Sequence, residues 1–129
     1  MDIYAQNILD RYKEPLYKDK KLDADVRRKE ANHSCGDSIE VQLKVDEGKV
    51  TGYSFSGAGC AISMASADML GDLIKGMTKE EILKLTKEDI YEILGIEISL
   101  RRSKCALLSL LALQSALSGE PRDWTYYHI

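Results

Sequence analysis

The chain predicts an α+β fold, in which an antiparallel sheet packs one face against helices. Three observations carry that reading. Residues 39–45 alternate Ile39, Val41, Leu43 and Val45 with polar neighbours, as a half-buried strand does. Asp46-Glu47-Gly48 supplies a turn into a second alternating run, with Thr51, Tyr53 and Phe55, so 39–56 reads as a hairpin. From residue 61 onward the apolar spacing is helical. With 129 residues the chain is one domain, 1–129, long enough to bury a core without disulfides.

The elements follow in order. Tyr4, Ile8 and Tyr12 recur every four residues, with Leu9 beside them, and predict a first helix that Pro15 ends. Residues 16–34 have no clear period and hold the charged runs 18–21 and 27–30, which predicts a long surface loop. Two strands alone are marginal, so a third strand or a covering helix is required, with residues 22–30 the place to look for it. Ile62, Ala65, Met69, Leu70, Leu73 and Ile74 predict a helix closed by Gly76. Thr78 with Glu81 and Thr86 with Asp89 read as capping boxes for two short helices, the second ending near Gly95. Ser99 is the expected N-cap of a final helix that ends near Gly119 and is apolar on nearly all sides from Ala106 to Leu117. The tail after Gly119 shows no period.

Bulk properties exclude several classes. At 44% hydrophobic and 30% charged, with two prolines, the chain is not disordered. A net charge of −3 argues against a general nucleic-acid binder. The start of the chain lacks the apolar run of a signal peptide, and the longest apolar stretch, Cys105 to Leu117, is too short to span a bilayer. A soluble cytoplasmic protein without membrane partners is expected. Three cysteines cannot pair completely, so buried thiols, metal ligands or reactive thiols are the alternatives.

Each cysteine sits at an element boundary. Cys35 precedes the first hairpin strand; Gly36 allows a tight turn, and Asp37 lies two residues on. Cys60 follows Gly57-Ala58-Gly59 and opens a helix, where the dipole favours thiolate. Cys105 lies near the start of the last helix behind Arg101, Arg102 and Lys104, and cations also favour thiolate. Taken singly, each fits a turn or packing cysteine as well. Jointly, Cys35, Asp37, Cys60 and Cys105 form a four-donor set suited to zinc or to iron with sulfide. The oxygen donor exchanges more readily than a fourth thiolate would, as a site that releases cargo requires. There is no Cys-x-x-Cys pair, which argues against thioredoxin-type chemistry. His33 is a second-choice donor near Cys35, and His128 has no assigned role.

At these residues the chain resembles the IscU/NifU N-terminal scaffold family, in Ser34-Cys35-Gly36-Asp37, in the run from Gly57 to Ala67 and in Lys104-Cys105-Ala106-Leu107-Leu108. Arg11-Tyr12-Lys13-Glu14-Pro15 is similar to the family's His-Tyr-x-x-Pro, with Arg11 in place of His. The resemblance runs in order over almost the whole chain. It implies a three-stranded antiparallel sheet packed against helices, with the cysteines clustered at one exposed end. It implies a PLP-dependent cysteine desulfurase as sulfur donor, Cys35 or Cys105 as persulfide acceptor, a [2Fe–2S] cluster or iron as cargo, and acceptor or carrier proteins downstream. In the SufU branch, zinc sits at the same donors and the protein is a sulfurtransferase. Lys104 in place of a His before Cys105 is SufU-like, whereas the insertion usual in SufU is missing. Residues 96–100 replace the Leu-Pro-Pro-Val-Lys motif, which argues against Hsp70-type chaperone docking. Arg101, Arg102 and Lys104 are expected to dock an acidic rim of the desulfurase, Arg102 foremost.

Overall fold

The computed structural model describes residues 2–129. Helix α1 (Ile3–Lys13) is capped by Asp2, whose side chain accepts from Ala5 N–H at 2.8 Å, and it buries Ile8. Three strands follow: β1 (Val26–Asn32), β2 (Asp37–Asp46) and β3 (Lys49–Ala58). They form one antiparallel sheet in the order β1-β2-β3. Helix α2 (Ala61–Ile74) precedes two short helices, α3 (Lys79–Leu83) and α4 (Lys87–Leu94). A 3-10 turn over Leu100–Arg102 runs into α5 (Ser103–Ser118), and a second one, Trp124–Tyr127, lies in the tail.

The alternation in β2 does what the sequence predicts: Ile39, Val41 and Leu43 are buried, and Phe55 of β3 faces them across the pair. Helix α5 crosses β1 and β2, α2 covers β3, and α1 lies on α2. Helix α5 is buried nearly all round because the sheet, α2, α3 and α4 surround it. Both capping boxes form, at Thr78 with Glu81 and at Thr86 with Asp89.

Two expectations need correction. Residues 16–34 are not one loop, because 26–32 form the third strand. Its sequence, Val-Arg-Arg-Lys-Glu-Ala-Asn, carries one β-branched residue among charges. An edge strand is built that way, since charge on the open edge blocks further pairing. The last helix starts at Ser103 rather than next to Ser99, which instead begins the 3-10 turn.

The aperiodic tail folds back onto α5. Tyr127 donates its hydroxyl to Gln114 Oε1 at 2.6 Å, and Arg122 donates to the same oxygen at 2.8 Å. Gln114 in turn donates to the carbonyls of Ile82 and Leu85, both at 2.9 Å. One polar residue in an apolar helix therefore ties together α5, the α3 region and the tail.

Candidate metal centre

Three chain reversals meet at one end of the sheet: the β1–β2 hairpin loop, the β3–α2 junction and the entry into α5. Asn32 and Asp37 are paired across the hairpin, and the backbone N–H groups of Cys35 and Gly36 both donate to the Asn32 carbonyl, at 3.3 and 3.0 Å. This turn leaves Cys35 exposed and Asp37 buried. Cys60 occupies the N-cap of α2 without making a side-chain cap bond. Cys105 lies in the first turn of α5 and is buried.

Gly57 and Gly59 make the junction possible. Gly57 has φ +130°, and a Cβ there would strike the Ser38 carbonyl. A Cβ on Gly59 would meet Ser63 Oγ and the Asp37 carboxylate, so the bare backbone lets that carboxylate lie against the chain.

One donor atom from each of Asp37, Cys60 and Cys105 lies within 4.8 Å of the other two. Cys35 adjoins this trio on its open side, 3.6 Å from the Cys105 sulfur, without joining it at that spacing. His33 is exposed on the hairpin loop, and His128 lies in the tail. Asp37 is 3% exposed; its Oδ1 accepts from Cys60 N–H at 3.3 Å, while its buried Oδ2 meets no N–H or O–H donor and the Cys105 thiol is the carboxylate's remaining neighbour. A buried carboxylate oxygen left without a donor costs stability unless something else satisfies it. Set among soft thiol donors, it suits a cation of the zinc or iron kind.

The sequence expectation that Cys105 is biased to thiolate fails for the metal-free chain. Burial pushes its thiol up, and the neighbouring Asp37 carboxylate and Cys35 thiol add to the effect. The cations that were expected to lower it are at the rim: Arg101 and Arg102 are exposed, and Lys104 packs over the Trp124 ring at 5.8 Å. Arg102 sits by the sulfurs of Cys60 and Cys105, which hold its guanidinium more firmly in the charged form.

Two open cavities flank the cluster. One of about 510 Å³ lies on the Cys35 side, walled by Arg101, Arg102, Lys104 and the exposed Leu100. The other, of about 350 Å³, lies on the Cys60 side, with Ile62, Ile96 and Ile98 opposite Arg102. Sequence reasoning missed Asn32 and Leu100. An Asx-turn residue three positions before Cys35 is a readable signal for Asn32, whereas Leu100 has none.

Fold and donor set together define a small α+β domain with a thiol–carboxylate cluster at its open end. The chain belongs to the family of the NifU-like N terminal domain, whose pattern matches residues 3–122. It is 35% identical over 135 residues to the zinc-dependent sulfurtransferase SufU of Bacillus subtilis, covering 92% of this chain and 91% of that one. It is 30% identical over 115 residues to the iron–sulfur cluster assembly scaffold protein IscU 1 of Archaeoglobus fulgidus, covering 89% and 74%. A solved structure of a protein assigned to SUF-system cluster assembly in Fervidobacterium islandicum superposes with TM-score 0.75 at 28% identity, over 87% of this chain and 94% of that one. The three-stranded sheet and its helices are thus the fold of this family. Among the described residues no helix is long and apolar enough to cross a membrane.

Proposed function

We propose that this chain is an iron–sulfur cluster assembly scaffold working in the cytoplasm. In this reading it receives sulfur from a PLP-dependent cysteine desulfurase, holds iron or a [2Fe–2S] cluster as cargo at Cys35, Asp37, Cys60 and Cys105, and passes it to acceptor or carrier proteins. The observation that carries the reading is the buried Asp37 Oδ2, left without a donor beside thiols. The scaffold named among the relatives from Archaeoglobus fulgidus supports the cargo.

Cys35 is the thiol that a partner reaches directly, because it is exposed at the mouth of the basic cavity. Its thiolate attacks the outer sulfur of the partner's persulfide; the S–S bond breaks, the partner's cysteine leaves as thiolate, and Cys35 becomes the persulfide. Cys105, 3.6 Å away, is the second acceptor in reach. Arg101, Arg102 and Lys104 line the approach and attract an acidic rim on the desulfurase. Among them Arg102 also faces the sulfurs, so Arg102→Ala is expected to lower both desulfurase binding and sulfur acceptance at low salt.

A second reading uses the same donors. The Bacillus subtilis relative is named a zinc-dependent sulfurtransferase and matches nearly end to end. A resident zinc would be held by the same four side chains and would keep the thiols deprotonated. Metal and sulfide content after anaerobic purification, with the absorption spectrum, separates the two. Iron with acid-labile sulfide supports the scaffold. A colourless protein with one zinc that cannot be reconstituted with iron and sulfide supports the sulfurtransferase.

A further inference from the structure

The hairpin that carries Cys35 is organised around a buried amide that also reaches the site. Asn32 ends β1 and is 2% exposed. Its side-chain oxygen accepts from Ser34 N–H at 3.3 Å, which fixes which way the amide faces. Its Nδ2 then points at the Cys105 sulfur across 4.0 Å, the long end for an N–H···S contact. Its backbone carbonyl holds the N–H groups of Cys35 and Gly36. A buried amide in a strand this polar packs no apolar surface that Leu or Val would not pack better, and burying it costs stability unless its donors are used.

We propose that Asn32 is a positioning residue for the metal centre, donating its side-chain N–H to the Cys105 sulfur while its oxygen and carbonyl set the Cys35 loop; this rests on the metal-centre reading above. A hydrogen bond to a thiolate withdraws electron density from it. The sulfur is then a weaker donor to whatever it holds, and the potential of a bound iron–sulfur cargo rises. The same residue fixes the distance between Cys35 and Cys105, the two thiols in line for sulfur. Asn32 thus tunes one donor and places another without itself binding the cargo.

Asn32→Ser and Asn32→Asp separate the sulfur contact from loop building. Both keep a side-chain oxygen for Ser34 N–H and both keep the backbone carbonyl, but neither offers the amide N–H to Cys105. Cobalt(II) is the probe, read by its sulfur-to-cobalt charge-transfer band and by competition against a chromophoric chelator, with amide exchange at Cys35 and Gly36 reporting the loop. The expected result is a band moved to longer wavelength in both variants, because the thiolate regains electron density, and loop amides protected as in wild type. Bands at the wild-type position in both variants overturn the inference, even if affinity falls, because the residue would then only build the loop. If one variant does not fold, the band of the other decides alone. If the wild-type protein shows no sulfur-to-cobalt band, the metal-centre reading itself falls, and this inference with it.

Discussion

Two aspartates are buried among the described residues, and their surroundings are opposite. Asp68, on α2, is 0% exposed and fully satisfied. It accepts from Arg11 Nε at 2.5 Å, from Leu16 N–H at 3.1 Å and from Tyr17 N–H at 2.8 Å, and its backbone carbonyl takes a further Arg11 N–H. Arg11 also reaches Asp72 at 2.7 Å, and Tyr17 donates its hydroxyl to Asp72 at 2.6 Å. Asp37, beside the N-cap of the same helix, has one weak donor on Oδ1 and none on Oδ2. Burial is the same, so burial does not mark function. What differs is completeness: the first carboxylate is spent on tying α1 and the following segment to α2, and the second is held in reserve beside thiols. A buried charge with all its partners is architecture, and one with a vacant oxygen among soft donors is a candidate binding site.

The comparison breaks most sharply by removing each carboxylate. Asp68→Ala leaves Arg11 Nε and two backbone N–H groups without their acceptor, and is expected to cost about 3–5 kcal/mol of stability, measured by urea unfolding of the metal-free protein. Arg11→Ala should cost less, about 2–3 kcal/mol, because the two backbone N–H groups still satisfy Asp68. Asp37→Ala should do the reverse, raising metal-free stability by about 1 kcal/mol as an unsatisfied buried oxygen is lost. The same variant should retain a bound [2Fe–2S] cluster longer and transfer it more slowly, because the exchangeable oxygen donor is gone; cluster lifetime and transfer rate measure this. Faster transfer than wild type would contradict it. The smallest effect is in pH. The bond to Asp72 pushes the Tyr17 phenol up to about 12, above its unfolded value near 10. The stability it contributes is therefore fully present below about pH 10 and is lost as pH rises through about 12. Tyr17→Phe should flatten that alkaline slope in urea midpoints, with no change in metal affinity.

The two carboxylate sites also differ in how far the sequence exposes them. The residues that meet at the open end are legible because their chemistry is carried by residue types at element boundaries: Cys35 and Asp37 around Gly36, Cys60 behind two glycines, Cys105 at a helix start. The strands of the hairpin and the capping boxes are legible from local rules. The Asp68 latch is not, because Asp68 lies more than fifty residues from both Arg11 and Tyr17 and each alone is an ordinary polar residue. The need for a further element near residues 22–30 is legible, but the bounds of β1 are hidden by the charges that protect its edge, and the tail hides because its order comes from Gln114 rather than from a period. The protonation of Cys105 is hidden from the sequence for a related reason. Neighbouring cations are visible in sequence, but the burial that outweighs them is a property of the packed fold.

The central claim is that Asp37's vacant oxygen and the three thiols hold one metal. X-ray absorption at the metal edge of anaerobically purified, zinc-loaded protein tests it most directly. The account predicts three sulfur neighbours at about 2.3 Å and one oxygen at about 2.0–2.2 Å, with the oxygen lost or replaced in Asp37→Ala. A shell of nitrogen and oxygen alone, or one unchanged when Asp37 and the cysteines are substituted, would contradict it.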